Sequence, residues 1–184
     1  MYKTIEKSLL FCYVCQMLFG GMENIMEYNE IHYVCQESND AGTIYAGRSR
    51  TLRGNIIRYN YLHDISGFEG KGCVGVYLDD AFSGAEVTGN IFKNVTESVK
   101  IGGGRDNNVI NNIFVDCAHS LEIDARGMGL MIDLHLHWVK EANEKSNFQL
   151  DPGSPAFSHG FIRIPFEKIG PYKSNERVSS PVKE

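Results

Sequence analysis

Apolar and polar positions along this chain recur in one phrase, written four times: Tyr28-Asn29-Glu30-Ile31, Tyr59-Asn60-Tyr61-Leu62, Gly89-Asn90-Ile91-Phe92 and Asn111-Asn112-Ile113-Phe114. An apolar residue stands three places before each asparagine (Met26, Ile57, Val87, Val109) and another five places after it (Val34, Ile65, Val95, Cys117). From Asn29 through Asn60 and Asn90 to Asn112 the spacings are 31, 30 and 22 residues. Periods of that size mark a solenoid, in which each repeat buries its apolar face only against its neighbours.

Around each asparagine the pattern alternates with the two-residue period of a strand. A second short strand follows in every copy: Thr43-Ile44-Tyr45, Val76-Tyr77-Leu78, Ser98-Val99-Lys100-Ile101 and Leu121-Glu122-Ile123. Turns rich in glycine or charge then close the circuit, at Ala46-Gly47-Arg48, Asp79-Asp80, Gly102-Gly103-Gly104 and Asp124-Ala125-Arg126-Gly127. Strand, bend, strand and turn, with no helical stretch between, predict an all-β fold: a short parallel β-helix of about four to five coils.

The asparagines have a physical task in such a coil. Asparagine tolerates a left-handed backbone at a tight bend, and its amide reaches the asparagine one coil away. Coils stack ~4.8 Å apart, so equivalent positions form ladders: Phe92 is expected to stack on Phe114, with Leu62 and Ile31 continuing the row. The first two copies are longer, and their extra residues, 36–42 and 66–72, fall between the two strands. They are expected to be loops on one side of the solenoid, where such loops build a binding surface.

Outside the coils, here taken as 24–127, the pattern changes. Residues 1–23 hold Lys3 and Lys7 ahead of a short apolar run, in outline a signal peptide. Glu6 interrupts the charged part, however, no clean small-x-small cleavage site follows, and the run is too short to span a membrane. A strand of a preceding coil or a cap is the expectation. Residues 128–144 alternate in a way that suits a strand or a short helix. The Pro- and Gly-punctuated text that completes 128–172 suits extended segments laid on the solenoid, and the polar tail 173–184 is expected to be disordered.

Composition removes some function classes. A formal charge of -5, with no basic run, argues against a nucleic-acid partner. Five cysteines give an odd count without disulfide-framework spacing. Cys117 sits at an apolar ladder position and reads as a free thiol, and Cys12-Tyr13-Val14-Cys15 has no second pair to complete a zinc site.

Several stretches resemble right-handed parallel β-helix proteins of the pectate-lyase-like superfamily, where polysaccharide lyases and glycoside hydrolases share one scaffold. They are Glu27-Tyr28-Asn29-Glu30-Ile31-His32, Asp40-Ala41-Gly42-Thr43-Ile44-Tyr45, 57–65, Gly75-Val76-Tyr77-Leu78-Asp79-Asp80, Val115-Asp116-Cys117 and the closing 151–157 and 165–170. The resemblance covers most of 21–175. It implies a carbohydrate-active protein, secreted or periplasmic, although the chain lacks a clean signal peptide. Members usually run to several hundred residues, so this chain reads as a truncated form.

Aligning the copies gathers Arg48, Asp79, Asp80, Arg105, Asp106, Asp124 and Arg126 at the turn after the second strand, with loops Asn39-Asp40 and Phe68-Glu69 overhanging. Carboxylates alternating with guanidinium forks suit a polysaccharide or oligosaccharide. Asp79 or Asp80 lies two coils from Asp124, roughly 9–10 Å along the stack, which brings carboxyls into the ~6.5–9.5 Å range of inverting glycosidases. Asp80 and Asp124 are expected as the acid–base pair, with Asp79 a third catalytic candidate and Arg48, Asp40, Arg105, Arg126 and Asp106 binding substrate. Solvated turn residues and weak cross-coil ion pairs are the plain alternative. His63, beside Asp64, reads as a structural histidine. Gly102-Gly103-Gly104 reads as a bare stretch that lets a ligand or loop approach the backbone.

The expected function is therefore hydrolysis of a glycan with no cofactor or metal. One alternative is a calcium-assisted polysaccharide lyase, with Lys100, Arg105 or Arg126 as base and Asp79, Asp80 and Asp124 holding the ion. Another is a carbohydrate-binding β-helix without catalysis.

Overall fold

The computed structural model describes residues 3–6, 9–11, 17–124, 133–135, 150 and 152–170. Three strands, rather than two, make each circuit. In chain order they are β1 (Lys3–Glu6), β2 (Leu9–Phe11), β3 (Met17–Leu18); β4 (Asn24–Glu27), β5 (Glu30–His32), β6 (Gly42–Gly47); β7 (Asn55–Arg58), β8 (Tyr61–Ile65), β9 (Val74–Asp79). There follow β10 (Ala85–Thr88), β11 (Ile91–Val95), β12 (Glu97–Gly102); β13 (Asn108–Ile110), β14 (Ile113–Val115), β15 (His119–Asp124); and β16 (Asp133–His135). Each third strand joins the same sheet. Sheet I runs β1-β4-β7-β10-β13-β16, sheet II β2-β5-β8-β11-β14 and sheet III β3-β6-β9-β12-β15, and every pairing among them is parallel. The fold is a parallel β-helix.

The asparagine phrase reads as one strand in sequence but is a corner. The residue before each asparagine takes the left-handed conformation, at Tyr28 (φ 58°), Tyr59 (φ 55°), Gly89 (φ 64°) and Asn111 (φ 56°), and turns the chain from sheet I into sheet II. The asparagine itself holds the stack. Asn60 is fully buried: its Oδ1 accepts from the backbone N–H of Asn29 at 3.0 Å and from Asn29 Nδ2 at 2.9 Å. Its own Nδ2 donates to Met26 O at 3.0 Å and to Asn90 Oδ1 at 2.9 Å. Asn90 repeats the link to Asn112 Oδ1 at 3.0 Å. Each amide thus satisfies backbone groups that a tight corner would otherwise bury unpaired. A second set, unanticipated from the sequence, opens sheet I: Asn24 Nδ2 donates to Asn55 Oδ1 at 2.7 Å, and Ala85 N–H to Asn107 Oδ1 at 3.0 Å.

The core is the ladder set. Met26, Ile57, Val87 and Val109 from sheet I, Ile31, Leu62 and Phe92 from sheet II, and Ile44, Val76 and Val99 from sheet III are all fully buried. Ile31, Leu62, Phe92 and Phe114 stand in register, and the Phe92 and Phe114 rings stack at 5.2 Å and 12°. Burying a side chain of this size stabilises by about 1.5–3 kcal/mol, so the shape of the prism is set by the residues that fill it.

The two longer loops lie together at one edge, where Phe68 N–H donates to Ser38 O at 3.2 Å and a 3-10 turn forms at Phe68–Gly70. The C-terminal text lies on the outer face of sheet II. Phe161 and Ile164 pack on Ile91, Ile113 and Val115. Ile162 and Asn111 exchange two hydrogen bonds, of 2.8 and 2.9 Å, and Gly170 N–H reaches Tyr28 O at 2.9 Å. This strap therefore runs from the coil of Asn111 back to that of Tyr28. Its short helix, Pro155–Ser158, starts with Pro155 after the capping Ser154. Arg126, Cys12, Cys15, the tail 173–184 and most of 128–144 lie outside the described residues; within 128–144, Asp133–His135 is a strand. Among the described residues no helix is long and apolar enough to cross a membrane.

Candidate functional site

Sheet III carries the densest chemistry, because its outward positions are the ones not spent on the core. Side chains alternate along each strand. Ile44, Val76 and Val99 face inward, as do Ala46, Leu78 and Ile101. Two rows are left facing out. The first is Tyr45, Tyr77, Lys100 and Glu122. The second is Gly47, Asp79, Gly102 and Asp124: Gly47 pairs with Asp79 and Gly102 with Asp124, while Ile101 pairs with Leu78.

Asp79 and Asp124 thus share one column, two coils apart, with the bare Gly102 between. A Cβ on Gly102 would lie 2.9 Å from Asp79 Oδ1, so the missing side chain is what keeps the space open. Asp79 accepts from its neighbour Asp80 N–H at 2.7 Å and from the Tyr45 hydroxyl at 3.0 Å. Burial, and then the Asp79 carboxylate, push the Tyr45 hydroxyl upward, so it remains a donor. Tyr77 is raised for the same reasons, and its hydroxyl reaches Asp40 Oδ1 at 3.4 Å. That contact brings Asp40 from its loop over the sheet.

Lys100 lies above the Tyr77 ring, 5.8 Å from its centroid, with Glu122 Oε1 at 2.9 Å and Glu97 Oε2 at 3.4 Å. Burial works against its charge, but the two carboxylates outweigh it and hold the ammonium above its ordinary range. The result is a plate on which an acid, a phenol and a fixed cation stand side by side.

The remaining expected residues divide into two groups. Asp80 turns away in a left-handed conformation (φ 43°) and pairs with Arg48, Nε to Oδ2 at 3.1 Å. With Arg48 84% exposed, that pair carries little energy. Arg105 and Asp106 lie further round, toward sheet I: Arg105 N–H donates to Ser83 Oγ at 3.0 Å, and Asp106 pairs with Arg53. The eight expected residues therefore do not form one surface. Asp79, Asp124 and Asp40 converge on the outer plate, Arg48 and Asp80 mark its edge, Arg105 and Asp106 sit apart, and Arg126 lies outside the described residues.

The glycine run behaves as the bare stretch expected of it. A Cβ on Gly104 (φ +86°) would meet the Phe82 carbonyl, and Gly102 O accepts from Ala81 N–H at 2.7 Å. Tyr45 and Tyr77 join the candidate site without a motif of their own; their signal in the sequence is the outward parity they share with Lys100. Cys35, Cys73 and Cys117 are thiols, in no disulfide.

Against known proteins, the chain matches no family, no curated protein and no solved structure.

Proposed function

We propose that the outer plate of sheet III is the active site of an inverting glycoside hydrolase acting on a polysaccharide or oligosaccharide. The observation that carries this reading is the Asp79–Gly102–Asp124 column. Two strand spacings separate the backbones by roughly 9–10 Å, close to the ~6.5–9.5 Å between carboxyls that leaves room for a water in inversion. Asp79, facing the Tyr45 and Asp80 donors, takes the role of base toward that water, and Asp124 that of acid toward the leaving oxygen. Tyr77, Asp40 and Lys100 line the sugar path. The resemblance of the coil text to the pectate-lyase-like superfamily supports a glycan as substrate.

A calcium-assisted lyase receives less support. Its base would need to shed a proton, whereas Lys100 is held charged by Glu122 and Glu97. Among the described residues, Asp79, Asp80 and Asp124 are not a convergent three-carboxylate set.

The test is a panel of polysaccharides assayed for new reducing ends, with product anomers followed by NMR. Inverted products, lost in both Asp79→Asn and Asp124→Asn with circular dichroism unchanged, are expected. Unsaturated uronyl products, or turnover untouched by either substitution, would sink the reading.

A further inference from the structure

The outer face of sheet II holds a second cluster, on a different side of the prism and independent of the proposed glycosidase. Glu30 and His32 flank the buried Ile31 on β5 and so point outward together. His63 on β8 stands opposite His32 in register, and the two imidazoles stack at 4.6 Å and 9°. One donor atom from each of Glu30, His32 and His63 lies within 4.8 Å of the other two.

The surroundings of His63 are those of a ligand held ready. Its Nδ1 is 2.7 Å from Asp64 Oδ2, and Asp64 is itself held by Asn94 Nδ2 at 2.7 Å. A carboxylate on one imidazole nitrogen fixes the tautomer and turns the other toward a metal, as in carboxylate–histidine–zinc arrangements. That other nitrogen, Nε2, is buried, makes no hydrogen bond and faces Glu30 Oε1 at 3.4 Å. A neutral His63 would aim a lone pair at a carboxylate, a repulsive contact that a shared cation reverses. Tyr61 stacks on the His63 ring at 4.2 Å and restrains it.

We propose that Glu30, His32 and His63 bind a divalent first-row transition metal of the zinc class, which clamps the second and third coils together beneath the C-terminal strap. Two imidazoles and one carboxylate suit zinc and its neighbours, whereas calcium and magnesium take all-oxygen sets. Zinc–nitrogen bonds of about 2.0–2.1 Å require the donors to close in, which turns the imidazoles out of their parallel stack about a broad χ2 torsion. Three protein ligands leave a fourth position, beside a cavity of about 140 Å³ lined by Glu30, Tyr61, Ile91, Phe166 and Ile169.

The competing arrangement is a doubly protonated His63 bridging Glu30 and Asp64 with no metal. Calorimetric titration of the chelator-treated full chain with zinc alone, and then with magnesium alone, separates the two. The expected result is one equivalent of zinc bound, a raised unfolding temperature and no response to magnesium. Zinc affinity should fall about tenfold or more in Glu30→Gln, a near-isosteric change at a half-exposed position, and in Asp64→Asn, whose carboxylate only positions His63. It should be unchanged in Cys12→Ser/Cys15→Ser. No zinc binding, binding undiminished in Glu30→Gln, binding lost with the cysteines, or an equal response to magnesium would each overturn the proposal.

Discussion

Asp79 and Asp124 stand in one column of sheet III with only a glycine, Gly102, between their coils. In the neighbouring outward row every position carries a side chain that fills or braces the surface: Tyr45, Tyr77, Lys100 and Glu122. The gap is therefore specific to this column, and it admits a direct test. Gly102 needs no positive φ, so Gly102→Ala strains no backbone. It would, however, set a methyl 2.9 Å from Asp79 Oδ1 and 3.1 Å from Asp80 N. Turnover on a responsive glycan should fall at least about tenfold while the unfolding temperature changes by only a few degrees. Unchanged kinetics would place the chemistry elsewhere.

Stability should depend sharply on the corner amides. Asn60→Ala removes the partners of the Asn29 amides, Met26 O and Asn90 Oδ1 at one buried point. A loss of about 3 kcal/mol is expected in urea unfolding, since orphaned buried groups cost about 1–3 kcal/mol each and some relax. Asn24→Ala, at a half-buried corner, should cost clearly less. Equal losses would count against the ladder as the main support.

At alkaline pH the plate of sheet III should become a liability. Lys100 is held above its ordinary value of 10.5 because Glu122 and Glu97 outweigh burial. A raised folded value means that its contribution is complete below about pH 10.5 and is lost as pH rises through the folded value. Tyr45 and Tyr77, raised from 10.0 chiefly by burial, add loss in the same direction. Urea midpoints should hold steady to about pH 10 and then fall, less steeply in Lys100→Met. An identical slope in that variant would contradict the assignment.

The strap should be released by a single methyl. Gly170 adopts φ +78°, and a Cβ there would come within 2.9 Å of Glu30 Oε2. Gly170→Ala should weaken docking by about 1–2 kcal/mol. Amide exchange at position 170, protected by Tyr28 O, should accelerate about tenfold or more, while exchange at Asn60 and Asn90 is unchanged. Uniform acceleration would mean that the strap is integral to the coil instead.

Much of this architecture was legible beforehand. The stacking of Phe92 on Phe114, the asparagine contacts and the pairing of the two long loops follow from alternation and repeat spacing. Alternation alone presents the corner as a single strand, because the left-handed residue precedes the asparagine and Tyr28 and Tyr59 give no glycine-like warning. His32 and His63 each stand three residues after a ladder asparagine, a coincidence visible in the text whose meaning depends on Glu30 and Asp64 closing around them.

By itself the sequence determined the repeat, its core and the stacking of its asparagine ladder. Those follow from periodicity and from amides that reach one strand spacing, both local properties. Tertiary structure alone decided which side chains share a face. The loops of successive coils take up unequal lengths, so alignment on the asparagines leaves Asp79 and Asp80 interchangeable, and a shift of one residue turns a side chain to the opposite face. Register resolved that choice, sending Asp79 into the column of Asp124 and Asp80 out to Arg48.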